Sequence, residues 1–455
     1  MTRNPPPTSL PHIFPSMQPP PQTPNHSIED DSTTFAIHAD ILIPGSGDPQ
    51  NNITVVIKDS EIHSISPTST FNNTALSSII PSTSVPILMP GLWDCHVHYF
   101  GIQKMTIDDM VMTLQSLAGA RSVTDVARTL NAGFTSVREV GGYGAELSKA
   151  INEGTIPGPN IYPAVAPISM TAGHADAHGT PEQVVHDMCD HGVPLRVADG
   201  VSECRKAVRQ NIRRGAKVIK VMGTGGVLSS IDDPHAPEYS MEELEAMVEE
   251  AERAGLIVAA HCHGKEGIMQ CLKAGIKTIE HGTYGDDEVF ELMKEKGAML
   301  VATRTIVING VKHPELMSPE SYEKMKETAR YHAKAYALAV EKGVNIALGT
   351  DLGVSMRGND LSHGKDGQEL KHAVDAGMTP LQAIEAATAK GPLTLGPKKA
   401  PKSGQIKEGY DADLIALSEN PLKDIEVLSD AANVKYVWKG GKLFKKPGLK
   451  VSLEL

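Results

Sequence analysis

Two histidines stand two residues apart in "GLWDCHVHYF", His96 and His98, and a second such pair, His261 and His263, stands in "AHCHG". His281 ends the run "KTIEH", Lys220 lies inside "KVIKVMG", and Asp351 closes "VNIALGTD". These segments are short and apolar, so each reads as a strand. Side chains alternate between the faces of a strand. His96 and His98 therefore share one face, with Cys95 and Val97 on the other, and the same holds for His261 and His263 about Cys262. An i, i+2 pair of imidazoles on one face can chelate a metal ion, and neutral imidazole suits zinc and its neighbours. A lone strand-end histidine is more often a hydrogen-bonded core residue. Two H-x-H pairs, a third histidine and an aspartate, all at strand ends, favour a metal site over that alternative.

Lys220 fits the same chemistry. A buried, unpaired ammonium is costly and tends to lose its proton. The neutral amine can add CO₂ to form a carbamate, an anion whose two oxygens can bridge two cations. The alternative is a lysine that snorkels to the end of its strand. Lys217, three residues earlier, faces the other way.

These side chains need a scaffold that brings strand ends together. Eight strand candidates alternate with helix-length amphipathic stretches: "VPILMPGLWDCHVH", "FTSVREV", "NIYPAVAP", "KVIKVMG", "LIVAAHCH", "KTIEHGT", "AMLVATR" and "VNIALGTD". "SMEELEAMVEEAERAG" and "DDEVFELMKEKG" are clear helices between them. This rhythm predicts an α/β chain built around a (β/α)₈ TIM barrel, whose catalytic groups sit at the C-terminal ends of the strands. The β-rich ends, "FAIHADILIPGSGD" with "NITVVIKDSEIHSISP" and "DADLIALSEN" with "VKYVWKGGKLFK", predict a small β-sandwich domain made from both termini. The expected division is 1–33 as a disordered proline-rich tail, 34–88 and 395–455 as the two parts of the sandwich, and 89–394 as the barrel.

Bulk properties narrow the function classes. The 455 residues carry a net charge of -12 with no acidic or basic block, which argues against nucleic acid or an anionic membrane as partner. No apolar run is long enough to span a bilayer. The five cysteines include no C-x-x-C pair, so free thiols and a cytoplasmic location are expected. "MTRNPPPTSLPHIFPSMQPPPQTP" carries nine prolines and lacks the apolar core of a signal peptide. "GTGG" after Lys220 lacks the phosphate-loop pattern and reads as a strand-end turn beside the metals.

"GLWDCHVH", Lys220 in "VIKVMGTGG", "AHCHG", "IEHGT" and "ALGTD", in this order, resemble the amidohydrolase superfamily with a binuclear metal site. "SGQIKEGYDADLIALSENPLKDIEVL" followed by "VKYVWKGGKLF" resembles its returning sheet domain. "RRGAKVIKVM", "HGKEGIM" and "ELMKEKG" carry a narrower likeness to fungal ochratoxinases and to carboxypeptidase-like and imidazolonepropionase-like amidohydrolases. The resemblance implies roles residue by residue. His96, His98 and Asp351 would hold one divalent metal ion, most simply Zn²⁺, and His261 and His281 a second. N6-carboxylysine at Lys220 would bridge them together with a hydroxide. Asp351 would take the attacking water's proton and later pass it to the leaving amine.

The implied substrate is a small-molecule amide: an N-acyl amino acid, a dipeptide-like compound, or an ochratoxin-type amide. A homo-oligomer is expected. The alternatives are hydrolysis of a cyclic amide such as an imidazolone or hydantoin ring, or a non-catalytic assembly role on the same scaffold. Retention of all six ligand positions weighs against the second. His174 in "TAGHAD", His263 and Arg304 in "VATR" are candidate substrate-binding residues. The planar guanidinium of Arg304 matches a substrate carboxylate, while the rival reading has it pair with an acidic neighbour.

Overall fold

A computed structural model describes residues 33–451. The proline-rich tail assigned to 1–33 lies, but for Thr33, outside the described residues. The two ends of the chain meet in one seven-stranded sheet of order Lys442–Lys445, Val434–Lys439, Leu414–Leu417, Ser82–Pro90, Thr34–Leu42, Gln50–Lys58, Glu61–Pro67. The N- and C-terminal strands join where Leu414–Leu417 runs antiparallel to Ser82–Pro90. Alternate residues of Gln50–Lys58 (Ile53, Val55, Ile57) pack with Ile62, Leu414 and Trp438. The sheet therefore folds over its own apolar face, and its edge is tied by Ile62 N–H donating to Tyr410 O at 2.8 Å and Ala412 N–H to Ser60 O at 2.7 Å.

The middle of the chain forms two parallel sheets. One has the order Leu352–Val354, Leu92–Ile102, Phe134–Glu139, Asn160–Pro163. The other has the order Asn345–Ile346, Met299–Val301, Thr278–His281, Val258–Cys262, Ile219–Met222, Ile168–Ser169, Arg196–Val197. Backbone bonds link the sheets at both sides: Lys217 N–H donates to Pro163 O at 2.7 Å, and Cys95 N–H to Leu348 O at 2.8 Å.

Local chemistry sets the helices between the strands. Ser240 and Glu243 form a capping box at the start of Met241–Arg253. Leu244, Met247, Val248 and Ala251 repeat at helical spacing along it and pack beside Val258 and Ala260. Asp287–Lys296 stops at Gly297, whose φ of 60° is the left-handed cap that glycine adopts without strain.

One strand reading is corrected. "VPILMPGLWDCHVH" is two strands in two sheets, Ser82–Pro90 and Leu92–Ile102, parted at Gly91. A Cβ at Gly91 would lie 2.1 Å from Thr135 Oγ1, so the chain crosses between the sheets only where there is no side chain.

Candidate metal centre

The strands deliver the expected residues to one place. His96 and His98 lie on Leu92–Ile102, Lys220 on Ile219–Met222, His261 on Val258–Cys262, His281 ends Thr278–His281, and Asp351 precedes Leu352–Val354. All six line a single cavity of about 100 Å³, together with His174 and His263. The ligand atoms of His261, His263 and His281 lie within 4.8 Å of one another, as do those of His96, His281 and Asp351. His263, read above as a substrate residue, thus stands as close to His261 and His281 as a ligand would.

Hydrogen bonds fix how the rings face. His96 Nδ1 donates to Glu280 Oε2 at 2.8 Å and His98 Nδ1 to the Gly141 carbonyl at 2.8 Å. His263 Nδ1 and His281 Nδ1 are each 2.7 Å from a threonine hydroxyl, Thr283 and Thr303. With Nδ1 engaged, Nε2 is left for a cation, the usual arrangement behind metal-binding imidazoles. Asp351 Oδ1 is 3.0 Å from His98 Nε2 and 3.4 Å from His96 Nε2, while its backbone N–H donates to His96 O at 2.7 Å. Three residues here adopt left-handed backbone without being glycine: His281 (φ 71°), Thr303 (φ 56°) and Asp351 (φ 62°). Such conformations cost on the order of 1–3 kcal/mol each and persist where surrounding structure holds a functional geometry.

Burial sets the charges. It carries His261 and His281 well below the ordinary imidazole range, lowers His98, and brings His263 down to about 3. These rings are neutral donors near pH 7. Burial also lowers the Lys220 ammonium to about 8, against the opposing charges of Glu280 and Asp351. A much larger share of free amine is therefore present than for a surface lysine. Burial would raise Asp351, but its close pairing with His96 and the hydrogen bonds from His96 and His98 hold it well below the usual carboxylate range. Neutral imidazoles, an ionised carboxylate and a lysine that readily loses its proton form a donor set that fits divalent cations.

Several supporting residues were not singled out from the sequence. Arg138 and Glu280 are fully buried behind His96. The Arg138 charge, working against burial, holds Glu280 at about 2. Asp94 accepts from the backbone N–H groups of His96 at 3.1 Å and Thr350 at 3.0 Å, and so joins the first strand to the turn that carries Asp351. The available signal was a charged residue inside an apolar strand: Asp94 in "GLWDCHVH", Arg138 in "TSVREV", Glu280 in "TIEH". His174 Nδ1 is 2.6 Å from Ser229 Oγ, and its ring stacks on His261 with centroids 4.3 Å apart.

Arg304 departs from the expectation of a carboxylate grip. It opens the helix Arg304–Lys312, lies off the cavity lining, and donates from its guanidinium to Ala329 O at 3.3 Å. Its backbone N–H donates to Glu369 at 2.8 Å. Thr303, left-handed at φ 56°, stands directly before this helix, and the Arg304 guanidinium meets Ala329 on the helix Pro319–Glu341.

The Amidohydrolase family model matches residues 87–444, and the chain belongs to that family. It is a hydrolase acting on amide bonds. It is 47% identical to ochratoxinase of Aspergillus niger over 92% of this chain and 88% of that one. The crystal structure of A. niger ochratoxinase superposes with a TM-score of 0.84, at 46% identity, covering 92% of this chain and 97% of that one. A Xaa-Pro dipeptidase with bound methionine in its active site is 32% identical, with a TM-score of 0.80 over 91% of this chain and 100% of that one. A prolidase complexed with N-methylphosphonate-L-proline is 31% identical, with a TM-score of 0.82 over 91% of this chain and 100% of that one. No helix among the described residues is long and apolar enough to cross a membrane.

Proposed function

We propose that this amidohydrolase cleaves N-acyl amino acids or dipeptide-like amides with two divalent metal ions, most simply zinc, at the mouth of a closed barrel. Closure is supported by the backbone bonds that link the two parallel sheets at both sides, from Lys217 to Pro163 and from Cys95 to Leu348. In this reading residues 89–394 are the barrel, and 34–88 with 395–455 form the small β domain. His96, His98 and Asp351 would hold one ion and His261 and His281 the other, with Lys220, carboxylated on Nζ, as a shared anionic ligand. The observation that carries the reading is that these six side chains, brought by five separate segments of the chain, line one cavity.

Bound divalent ions supply Lewis acidity to the scissile carbonyl and lower the pKa of water. The chain does the rest. Asp351, held ionised, accepts a proton from the attacking water and returns it to the leaving amine, which otherwise leaves poorly. Phe100, Ile102, Met105, Met110, Met222 and Met325 give the cavity an apolar wall that takes the acyl group and excludes water. His174 and His263 face the substrate's polar end. The printed activities of the relatives, ochratoxinase and dipeptidases, support an open-chain amide next to an amino acid. Five unpaired, buried cysteines support a reducing, cytoplasmic setting.

The test is metal analysis together with a panel of acyl amino acids, dipeptides and cyclic amides. About two divalent ions per chain, loss of activity on chelation and restoration by metal are expected. Full activity in metal-free protein ends the reading. Asp351→Asn is expected to lose at least ~10²-fold in turnover at matched metal content, the scale of a general acid–base group.

A further inference from the structure

The strand Ile219–Met222 that carries Lys220 runs into a long loop before the helix that begins at Met241. This loop forms one side of the cavity. Val227 and Leu228 line it, and Ser229 Oγ lies 2.6 Å from His174 Nδ1. Asp232 adds a carboxylate oxygen 3.6 Å from the same nitrogen. Gly226 sits flat against the ring, where a Cβ would come within 2.2 Å of His174 Nδ1. His174 is thus held between Gly226 and His261, with its Nδ1 turned to the loop.

One side chain from elsewhere in the sequence fastens this loop. Lys324, on the helix Pro319–Glu341, donates from Nζ to the carbonyls of Gly226 at 3.1 Å, Ser229 at 2.9 Å and Asp232 at 2.5 Å. It also lies 3.2 Å from Asp232 Oδ1. An ammonium has three donors and no acceptor, so these contacts take up its whole capacity. Converging carbonyls repel one another unless a cation sits among them. The same helix contributes Met325 and Thr328 to the cavity wall.

We propose that Lys324 is a positioning residue for substrate binding: by gathering three carbonyls of the 224–236 loop, it sets the Val227–Leu228 wall and the Ser229–Asp232 pair that orients His174. The proposal rests on the reading that this cavity binds the amide substrate. Lys324 does not line the cavity, so it acts on affinity and selectivity through the loop and not on the chemical step.

The experiment uses metal-replete, full-length wild type, Lys324→Met, Ser229→Ala and the double variant, with N-benzoyl- and N-acetyl-phenylalanine as probes. Lys324→Met is expected to raise KM for the benzoyl substrate at least ~10-fold with kcat within ~3-fold, the pattern of lost binding. The acetyl substrate, which reaches less of the wall, changes less. Chymotrypsin, applied without substrate, cuts Lys324→Met after Leu228 and leaves wild type and Ser229→Ala intact there. Ser229→Ala raises KM by itself, and the double variant loses less than the product of the two single losses, because both act on His174. An uncut loop in Lys324→Met overturns the proposal. So does an equal loss on both substrates carried by kcat with lowered thermal stability. If wild type cleaves neither probe, the amidase reading fails on those substrates, and the chymotrypsin comparison still decides whether Lys324 holds the loop.

Discussion

Arg138 and Glu280 form a fully buried, two-pronged ion pair directly behind His96. One guanidinium nitrogen lies 2.7 Å from each Glu280 oxygen, and Glu280 Oε2 in turn accepts from His96 Nδ1 at 2.8 Å. The Arg138 Nε–H also donates to Cys95 O at 2.6 Å, and a third nitrogen donates to Thr278 Oγ1 at 2.9 Å. The guanidinium therefore joins three strands and, through Glu280, fixes which nitrogen of His96 faces the cavity.

Glu280→Gln separates these roles from simple packing. The amide keeps the size but can no longer receive both Arg138 and the His96 N–H as a carboxylate does. Metal affinity, measured by competition with a chelator, is expected to fall ~10–100-fold, the scale for losing a partner behind a metal ligand. Leaving Arg138 short of its counter-charge is expected to cost about 3–5 kcal/mol in denaturant unfolding. Unchanged chelator resistance would show that Glu280 does not orient His96.

Lys220 and Lys217 form a built-in control. Lys220 is buried in the cavity wall, while Lys217, three residues earlier, is exposed. Lys220→Ala is expected to lose activity and most of its metal, and short carboxylic acids in the buffer are expected to restore part of both by filling the gap. Lys217→Ala is expected to change neither. Equal damage from the two substitutions would contradict the carbamate role.

The difference between what was legible in the sequence and what was not follows from range. H-x-H pairs, a lysine within an apolar strand and a histidine or aspartate at a strand end are local patterns. The period of two alone puts His96 with His98 and His261 with His263. The terminal strands were legible from local composition, since runs such as "NITVVIK" are rich in β-branched residues and lie between turn residues. The break at Gly91 was not, because it is set by Thr135, a residue on a different strand. The Arg138–Glu280 pair spans 142 positions and the Lys324 contacts 92 to 98, so no window of sequence holds both partners. The direction of the Arg304 side chain was not legible either, because the residue before it, Thr303, is left-handed and threonine gives no sign of that.

That turn changes the expected outcome for Arg304→Met. Its guanidinium meets the Ala329 carbonyl, away from the cavity lining. The loss is expected to be uniform, with kcat/KM falling alike for acyl amino acids and their amidated counterparts and with lowered thermal stability. A loss confined to substrates with a free carboxylate would show that the guanidinium reaches the ligand after all.

His332 gives the chain a specific sensitivity to acid. It is buried on the helix Pro319–Glu341 and donates from Nε2 to Ala302 O at 2.5 Å, one residue before the Thr303 turn. Burial, with the Arg304 charge adding to it, lowers its imidazole to about 3. The sign follows from proton counting. The folded protein keeps the ring neutral, whereas the unfolded chain takes up a proton as pH falls below its ordinary value of about 6.5. The stability that His332 contributes is therefore full above about pH 6.5 and is lost as pH falls from there toward 3, at up to ~1.4 kcal/mol per pH unit. His332→Gln keeps a donor for Ala302 O but has nothing to titrate. Its stability, read by urea unfolding between about pH 7 and pH 5, is expected to be lower than wild type at neutral pH and to fall less steeply on acidification, since the other buried histidines act equally in both proteins. Parallel slopes in the two proteins would mean that His332 accepts its proton without opening the bond to Ala302, and the segment that leads into Thr303 would then not depend on a neutral ring.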